Sequence, residues 1–111
     1  MTQQILKLPN NPTLQDFQKY VKTMEEIRGF EDESILQKAL LFVEEIGELF
    51  KAIRKIEGMK VDRQNSKFSE ISDEMADVFI YLLALANKYN IDLETAFRKK
   101  EEKNKKRHWT T

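Results

Sequence analysis

The sequence contains no cysteine, which excludes disulfides, thiolate zinc sites and cysteine nucleophiles together. Its single histidine, His108, lies close to the C-terminal end. Net charge is absent as well: 19 basic residues balance 19 acidic ones, so no overall field favours nucleic acid or a membrane surface. The longest uncharged apolar run, Val78 to Ala86, falls far short of the roughly 20 residues that a membrane span needs. Met1-Thr2-Gln3-Gln4 lacks the basic segment and apolar core of a secretory signal. These absences together lead us to expect a soluble, cytoplasmic protein without a membrane or nucleic-acid partner. Glycine and proline are scarce, at 3 and 2, and all but Gly47 punctuate the chain rather than interrupt a periodic segment. No β-alternating run, internal repeat or low-complexity tract is present.

What remains is helical. At 111 residues the chain is expected to be a single domain, 1–111, with an irregular lead over 1–12. Thr13, with Asp16 three residues on, offers a near capping box. Leu14, Phe17, Val21, Met24 and Ile27 then predict a first helix over about 14–28, stopped by Gly29. Asp32 or Ser34 caps a second helix that ends near Gly58. Its apolar positions include Ile35, Leu40, Val43, Ile46, Leu49, Phe50, Ile53 and Ile56. Residues 58–68 have no apolar period and read as an exposed loop. Ser66 or Ser69 caps a third helix running to about Tyr89, with Asn90 as its stop, and Asp92 caps a fourth from Leu93 to about Arg107 with Ala96 and Phe97 inward. The fold expected is an all-α four-helix bundle. From Val78 to Ala86 the third helix is apolar around its whole circumference, which three short neighbours can hardly cover. Packing between copies, as a homodimer or tetramer, is the expected remedy.

Two acidic clusters interrupt this apolar pattern. Glu44, Glu45 and Glu48 sit between Leu40–Val43 and Leu49–Phe50; Glu74 and Asp77 directly precede Val78. Spacings of three and four residues place each cluster's carboxylates on one helix face, and two antiparallel helices would aim both clusters into one space. Carboxylates gathered in apolar surroundings repel one another and lose hydration, so a cation is expected between them. All the donors are oxygens and no histidine has matching spacing, which favours Mg²⁺ or Mn²⁺ over zinc, copper or a di-iron centre. A hard ion of that kind usually keeps waters and binds substrate phosphates. A solvated acidic face remains the better account of Glu25, Glu26, Glu31, Glu33, Glu101 and Glu102.

The string Val43-Glu44-Glu45-Ile46-Gly47-Glu48-Leu49, followed by Asp73-Glu74-Met75-Ala76-Asp77-Val78-Phe79-Ile80-Tyr81-Leu82, resembles the motif of the MazG-like all-α nucleoside triphosphate pyrophosphohydrolases, in particular their small dCTP-pyrophosphatase-like branch. Asn90-Ile91-Asp92-Leu93 extends the likeness, which covers about 25–107. It implies Mg²⁺-dependent hydrolysis of (deoxy)nucleoside triphosphates to monophosphate and pyrophosphate, removing non-standard or surplus nucleotides. It further implies Glu45, Glu48, Glu74 and Asp77 as metal ligands, with Glu44 a further ligand or the residue that orients the attacking water.

Lys100, Asn104 and Arg107 share one face of the fourth helix at i, i+4, i+7 and match the Lys-x-x-x-Asn-x-x-Arg pattern of the same family, which implies contacts to the triphosphate. Phe30 stands where a base-stacking aromatic is expected, and a staple between helices is an equal reading of it. The aromatic implied after the first acidic motif is missing, since Ile53-Arg54-Lys55 occupies that region. Base preference is therefore not carried over. Two other readings stand beside this one: the related phosphoribosyl-ATP pyrophosphohydrolase, and a non-catalytic helical module whose acidic face binds a basic partner. The basic stretch 98–107 lacks the interleaved aromatics of a single-strand binder.

Overall fold

Four helices make up the fold: α1 (Leu14–Arg28), α2 (Ile35–Ile56), α3 (Ile71–Lys88) and α4 (Leu93–Lys105). The structure is a computed structural model that describes residues 6–110; residues 1–5, part of the expected lead, and residue 111 lie outside the described residues. No strand occurs among the described residues, so the all-α expectation holds.

Local chemistry sets the ends. Thr13 and Asp16 form a full capping box, as do Ser34 and Gln37, which settles the α2 cap on Ser34 rather than Asp32. Gly29 closes α1 in the left-handed region at φ 78°, and Asn90 does the same after α3 at φ 53°. The α3 start differs from expectation. Glu70, not Ser66 or Ser69, is the N-cap, and it makes no side-chain cap bond. The link before it is organised instead by Asp62, which accepts from the backbone N–H groups of Gln64 and Asn65 at 3.1 Å each. The fourth helix also stops early, at Lys105. The Arg107 N–H bonds the Asn104 carbonyl at 3.1 Å in a three-residue turn, and its guanidinium lies over Trp109 at 4.6 Å.

α3 is the central element. It packs along α2 on one side and α1 on the other, while α4 packs chiefly on α1. α2 and α3 run antiparallel: Lys51 and Lys55 meet Phe68 just before α3, Glu45 meets Asp77, and Lys38 lies near Tyr81. Val21 and Met24 of α1 with Leu83 and Ala84 of α3 form the buried core, flanked by Leu14, Phe17, Ile80 and Leu93. Phe17 meets Phe79 edge to face at 5.7 Å. Gln18 fastens α1 to the α3–α4 turn. Its amide donates to Asn87 Oδ1 at 3.2 Å and to the Ile91 carbonyl at 2.8 Å, and its oxygen accepts from the Leu93 N–H at 3.0 Å.

Much of the expected core is not covered within one chain. Leu36, Leu40, Val43 and Phe50 of α2 are 58–69% exposed, and Gly47 completes their 4-3-4-3 spacing. At 100° per residue this stripe points directly away from Lys38, Glu45 and Ala52, the side that faces α3. Met75, Phe79 and Leu82 leave α3 half open in the same way, and Phe97, expected inward, is 69% exposed because α4 packs chiefly on α1 and turns that side away from the other helices. The radius of gyration is 17.4 Å, against about 13 Å for a compact domain of this length. Accessible surface is 9190 Å², roughly 2,800 Å² above what a folded monomer of this mass exposes.

Candidate active site

The α2–α3 pairing brings three of the expected carboxylates together. Glu45, Glu74 and Asp77 each present an oxygen within 4.8 Å of the others. Glu45 projects from the α3-facing side of α2. Glu74 and Asp77, three residues apart, return from the first turns of α3. Their exposure is graded: Glu74 is buried, Glu45 half-buried and Asp77 exposed. Glu44 and Glu48 are exposed on the adjoining flank of α2, outside the three-residue group. They are close enough to add their charge to Glu45.

Among the described residues, none of the three carboxylates takes part in an ion pair. Burial, and then the charges of Asp77, Glu74, Glu44 and Glu48, push the Glu45 carboxyl above the usual carboxylate range. Burial, then Glu74 and Asp73, does the same for Asp77. Glu74 Oε2 is buried without any hydrogen-bond partner. An orphaned buried carboxylate oxygen is costly unless a ligand satisfies it. Three convergent oxygens, one of them orphaned, fit a hard divalent cation that retains part of its water shell.

A cavity of about 160 Å³ opens beside Asp77, lined by Met24, Phe30, Ile80, Tyr81 and Ala84 among others. Phe30 is 46% exposed on its rim. The Phe30 backbone is held by Lys38, whose ammonium donates to the Phe30 carbonyl at 3.1 Å, to Glu33 Oε1 at 3.0 Å and to Glu25 Oε2. Lys38 itself is 1% exposed. Burial pulls its pKa down, but Glu25 and Glu33 together outweigh that, and the ammonium stays above the ordinary lysine value. Tyr81, half-buried on the cavity wall, has its hydroxyl pushed up by burial and then by Glu45 and Glu33. A wider hollow of about 390 Å³ between α1 and the α3–α4 turn contains none of the five acidic residues.

Lys38 and Tyr81 did not emerge from the sequence, yet both left a signal there. Lys38 is the one charge in the stretch Ile35–Val43, and Tyr81 follows Asp77 by one turn. The face expected on the fourth helix is only partly formed. Lys100 is exposed; Asn104 is half-buried, with its Oδ1 lacking a partner; Arg107 lies beyond the helix end against Trp109. With α4 packed on α1, this group stands apart from the α2–α3 pairing that carries the carboxylates.

The model of the MazG nucleotide pyrophosphohydrolase domain matches residues 31–110. The chain is 33% identical over 101 residues to the uncharacterised protein YvdC of Bacillus subtilis (strain 168), covering 85% of this chain and 94% of that protein. Two crystal structures of iMazG from Vibrio DAT 722, in C-tagged and N-tagged forms, are each 29% identical with a TM-score of 0.59. They cover 84% of this chain and 98% and 94% of theirs.

Proposed function

This chain belongs to the MazG nucleotide pyrophosphohydrolase family, as an all-α nucleoside triphosphate pyrophosphohydrolase, and from that premise we propose that it hydrolyses (deoxy)nucleoside triphosphates to monophosphate and pyrophosphate with Mg²⁺, Mn²⁺ serving in its place. One observation carries the proposal. Three carboxylate oxygens converge within 4.8 Å and one of them, on Glu74, is buried without a partner. Glu45, Glu74 and Asp77 would hold the metal, with Glu48 joining from the adjacent flank of α2.

A bound divalent ion supplies neutralisation of the triphosphate and acidification of coordinated water. The chain's own residues do the rest. The cavity beside Asp77, with Phe30 at its rim, takes the nucleoside and so fixes the α-phosphate beside the carboxylates. The water oxygen bonds to the α-phosphorus as the bond to the α,β-bridging oxygen breaks. That oxygen leaves with pyrophosphate, and the water proton passes to a carboxylate, Glu44 orienting the water or serving as a further ligand. Lys100, Asn104 and Arg107 are proposed triphosphate contacts that engage when α4 closes over the acidic cluster. Housekeeping of a cytoplasmic nucleotide pool is the role that suits this chemistry.

The same proposal includes a homodimer or tetramer. A single chain leaves the α2 stripe Leu36-Leu40-Val43-Phe50 bare, and the surplus surface of roughly 2,800 Å² is of the size that obligate interfaces cover. The test is a panel of nucleoside triphosphates with Mg²⁺, followed by pyrophosphate release, with Glu45→Gln as control. Release by the wild type and a loss of about 10² or more in the variant is expected, since a metal ligand and charge-stabilising group is removed. No release from any triphosphate overturns the reading.

A further inference from the structure

The flank of α2 that carries Glu44 and Glu48 continues into Lys51 and Lys55, so that acid gives way to base along one line at i, i+4, i+7, i+11. Both lysines are half-buried, and both ammonium groups lie over the same ring, that of Phe68, at 5.4 and 5.2 Å from its centroid. A ring face attracts each cation but does not neutralise it. Among the described residues neither lysine forms an ion pair or a side-chain hydrogen bond; the ion pairs found there belong to Lys38, Arg98 and Lys105. Two like charges drawn onto one ring, without a carboxylate between them, make a site that an anion stabilises.

Their position relative to the carboxylates says which anion. Because α2 and α3 are antiparallel, the cavity lined by Phe30, Tyr81 and Ala84 lies on one side of Glu45, Glu74 and Asp77. Lys51, Lys55 and Phe68 lie on the other, toward the C-terminal end of α2 and the start of α3. Cavity, carboxylates and lysine pair thus follow one another along the helix pair. A nucleotide with its nucleoside in the cavity and its α-phosphate at the carboxylates directs the rest of its phosphate chain at the lysines. Lys51 and Lys55 stand about 4.5 and 10.5 Å further along the helix axis than Glu48.

We propose that Lys51 and Lys55, gathered by Phe68, form the subsite that holds the β- and γ-phosphates of the substrate and hence the leaving pyrophosphate. The inference rests on the pyrophosphohydrolase reading above and assigns that site's charge-stabilising cations. Negative charge builds on the bridging oxygen as it departs, and fixed ammonium groups beside it lower the cost of that charge. A monophosphate does not reach the pair, so the subsite discriminates by the length of the phosphate chain. It also gives the 57–70 link a role, since Phe68 comes from that link.

The test compares product inhibition of triphosphate hydrolysis by inorganic pyrophosphate and by nucleoside monophosphate. Wild type, Lys51→Gln/Lys55→Gln and Lys51→Arg/Lys55→Arg are measured, all as the full chain. The glutamine pair should raise the pyrophosphate inhibition constant about tenfold or more, with the monophosphate constant held within about twofold, because only charge-assisted contacts to the distal phosphates are lost. The arginine pair, which keeps both charges, should stay near wild type for both products. A glutamine pair with unchanged pyrophosphate inhibition overturns the subsite, and so does one in which both constants rise in step. A wild-type chain that releases no pyrophosphate removes the enzymatic reading and the subsite together. A wild type that turns over while its lysine variants keep their pyrophosphate inhibition removes the subsite alone.

Discussion

Replacing Lys38 by methionine removes an ammonium from the most enclosed ionic group in the molecule. The side chains of Lys38, Glu25 and Glu33 are 1%, 10% and 27% exposed. Methionine keeps most of the apolar stem, so the loss is one of charge and of three donated hydrogen bonds. Breaking a buried pair by deleting one partner costs about 3–5 kcal/mol, because the other charge is left dry. Glu33 can turn to water, while Glu25 cannot easily do so, which places the expected cost near the lower end at ~3 kcal/mol. With an unfolding entropy of ~2.1 cal/mol/K per residue, that cost lowers Tm by about 13 °C for this chain. Thermal unfolding at one fixed protein concentration is the assay, since assembly would make Tm concentration-dependent. Adding Glu25→Gln to Lys38→Met should restore a large part of the loss by removing the stranded charge. The folded-state pKa of Lys38 lies above its unfolded value. Its contribution is therefore whole below ~10.4 and fades as pH rises through the native value. The gap between wild type and variant should hold from about pH 7 to about pH 9 and narrow only beyond ~10.4. A gap under about 1 kcal/mol at neutral pH, or one that shrinks between those two values, would refute the reasoning.

Other outcomes follow from the same geometry. Mg²⁺ or Mn²⁺ should raise the Tm of metal-free protein, by ~2.7 kcal/mol of stability at a hundred times its dissociation constant, and Glu74→Gln should abolish that rise; calorimetry with and without chelator checks both. Val43→Glu, on the α2 face turned away from α3, should convert the proposed homo-oligomer to smaller species in light scattering with helix content largely kept, since a charge would be buried where a second copy is proposed to pack. Gln18→Leu strands the Leu93 N–H and the Ile91 carbonyl. It should cost about 1–3 kcal/mol in denaturant unfolding.

The helices were legible because their signals are local. Thr13 with Asp16 and the stop at Gly29 delimit α1, and the spacing of Glu74 and Asp77 forecast their meeting with Glu45. Where the structure departs from the local signals, the deciding contact is distant in sequence. Ser66 and Ser69 are good cap residues, yet α3 starts after Glu70, and the Phe68 ring in between lies under the ammonium groups of Lys51 and Lys55, a contact distant in sequence that no capping rule contains. Leu40, Val43, Phe50 and Phe97 fit the apolar period yet are exposed, because periodicity does not say whether a neighbouring element covers a face. Lys38 and Tyr81 carry no local signal that by itself assigns a role, because a lone lysine or tyrosine on a helix is ordinary until its neighbours are known. Lys100, Asn104 and Arg107 share a face only if the helix reaches Arg107, and stacking on Trp109 goes with its ending sooner.

Gly47 lies in the middle of the outward α2 stripe, and a methyl group built on it would meet nothing within 4 Å. Inside a helix, glycine in place of alanine costs about 1 kcal/mol, and an isolated chain gains nothing in return. The position makes sense as a point of crossing. Between Val43 and Phe50, two helix backbones can approach there more closely than any side chain would permit, with the flanking apolar residues interleaving above and below. If a second copy packs on this stripe as proposed, one missing methyl group would set the distance between the two helices, one residue away from Glu48 and two from Glu45. The spacing of the assembly and the placement of the acidic cluster would then be fixed by the same turn of helix.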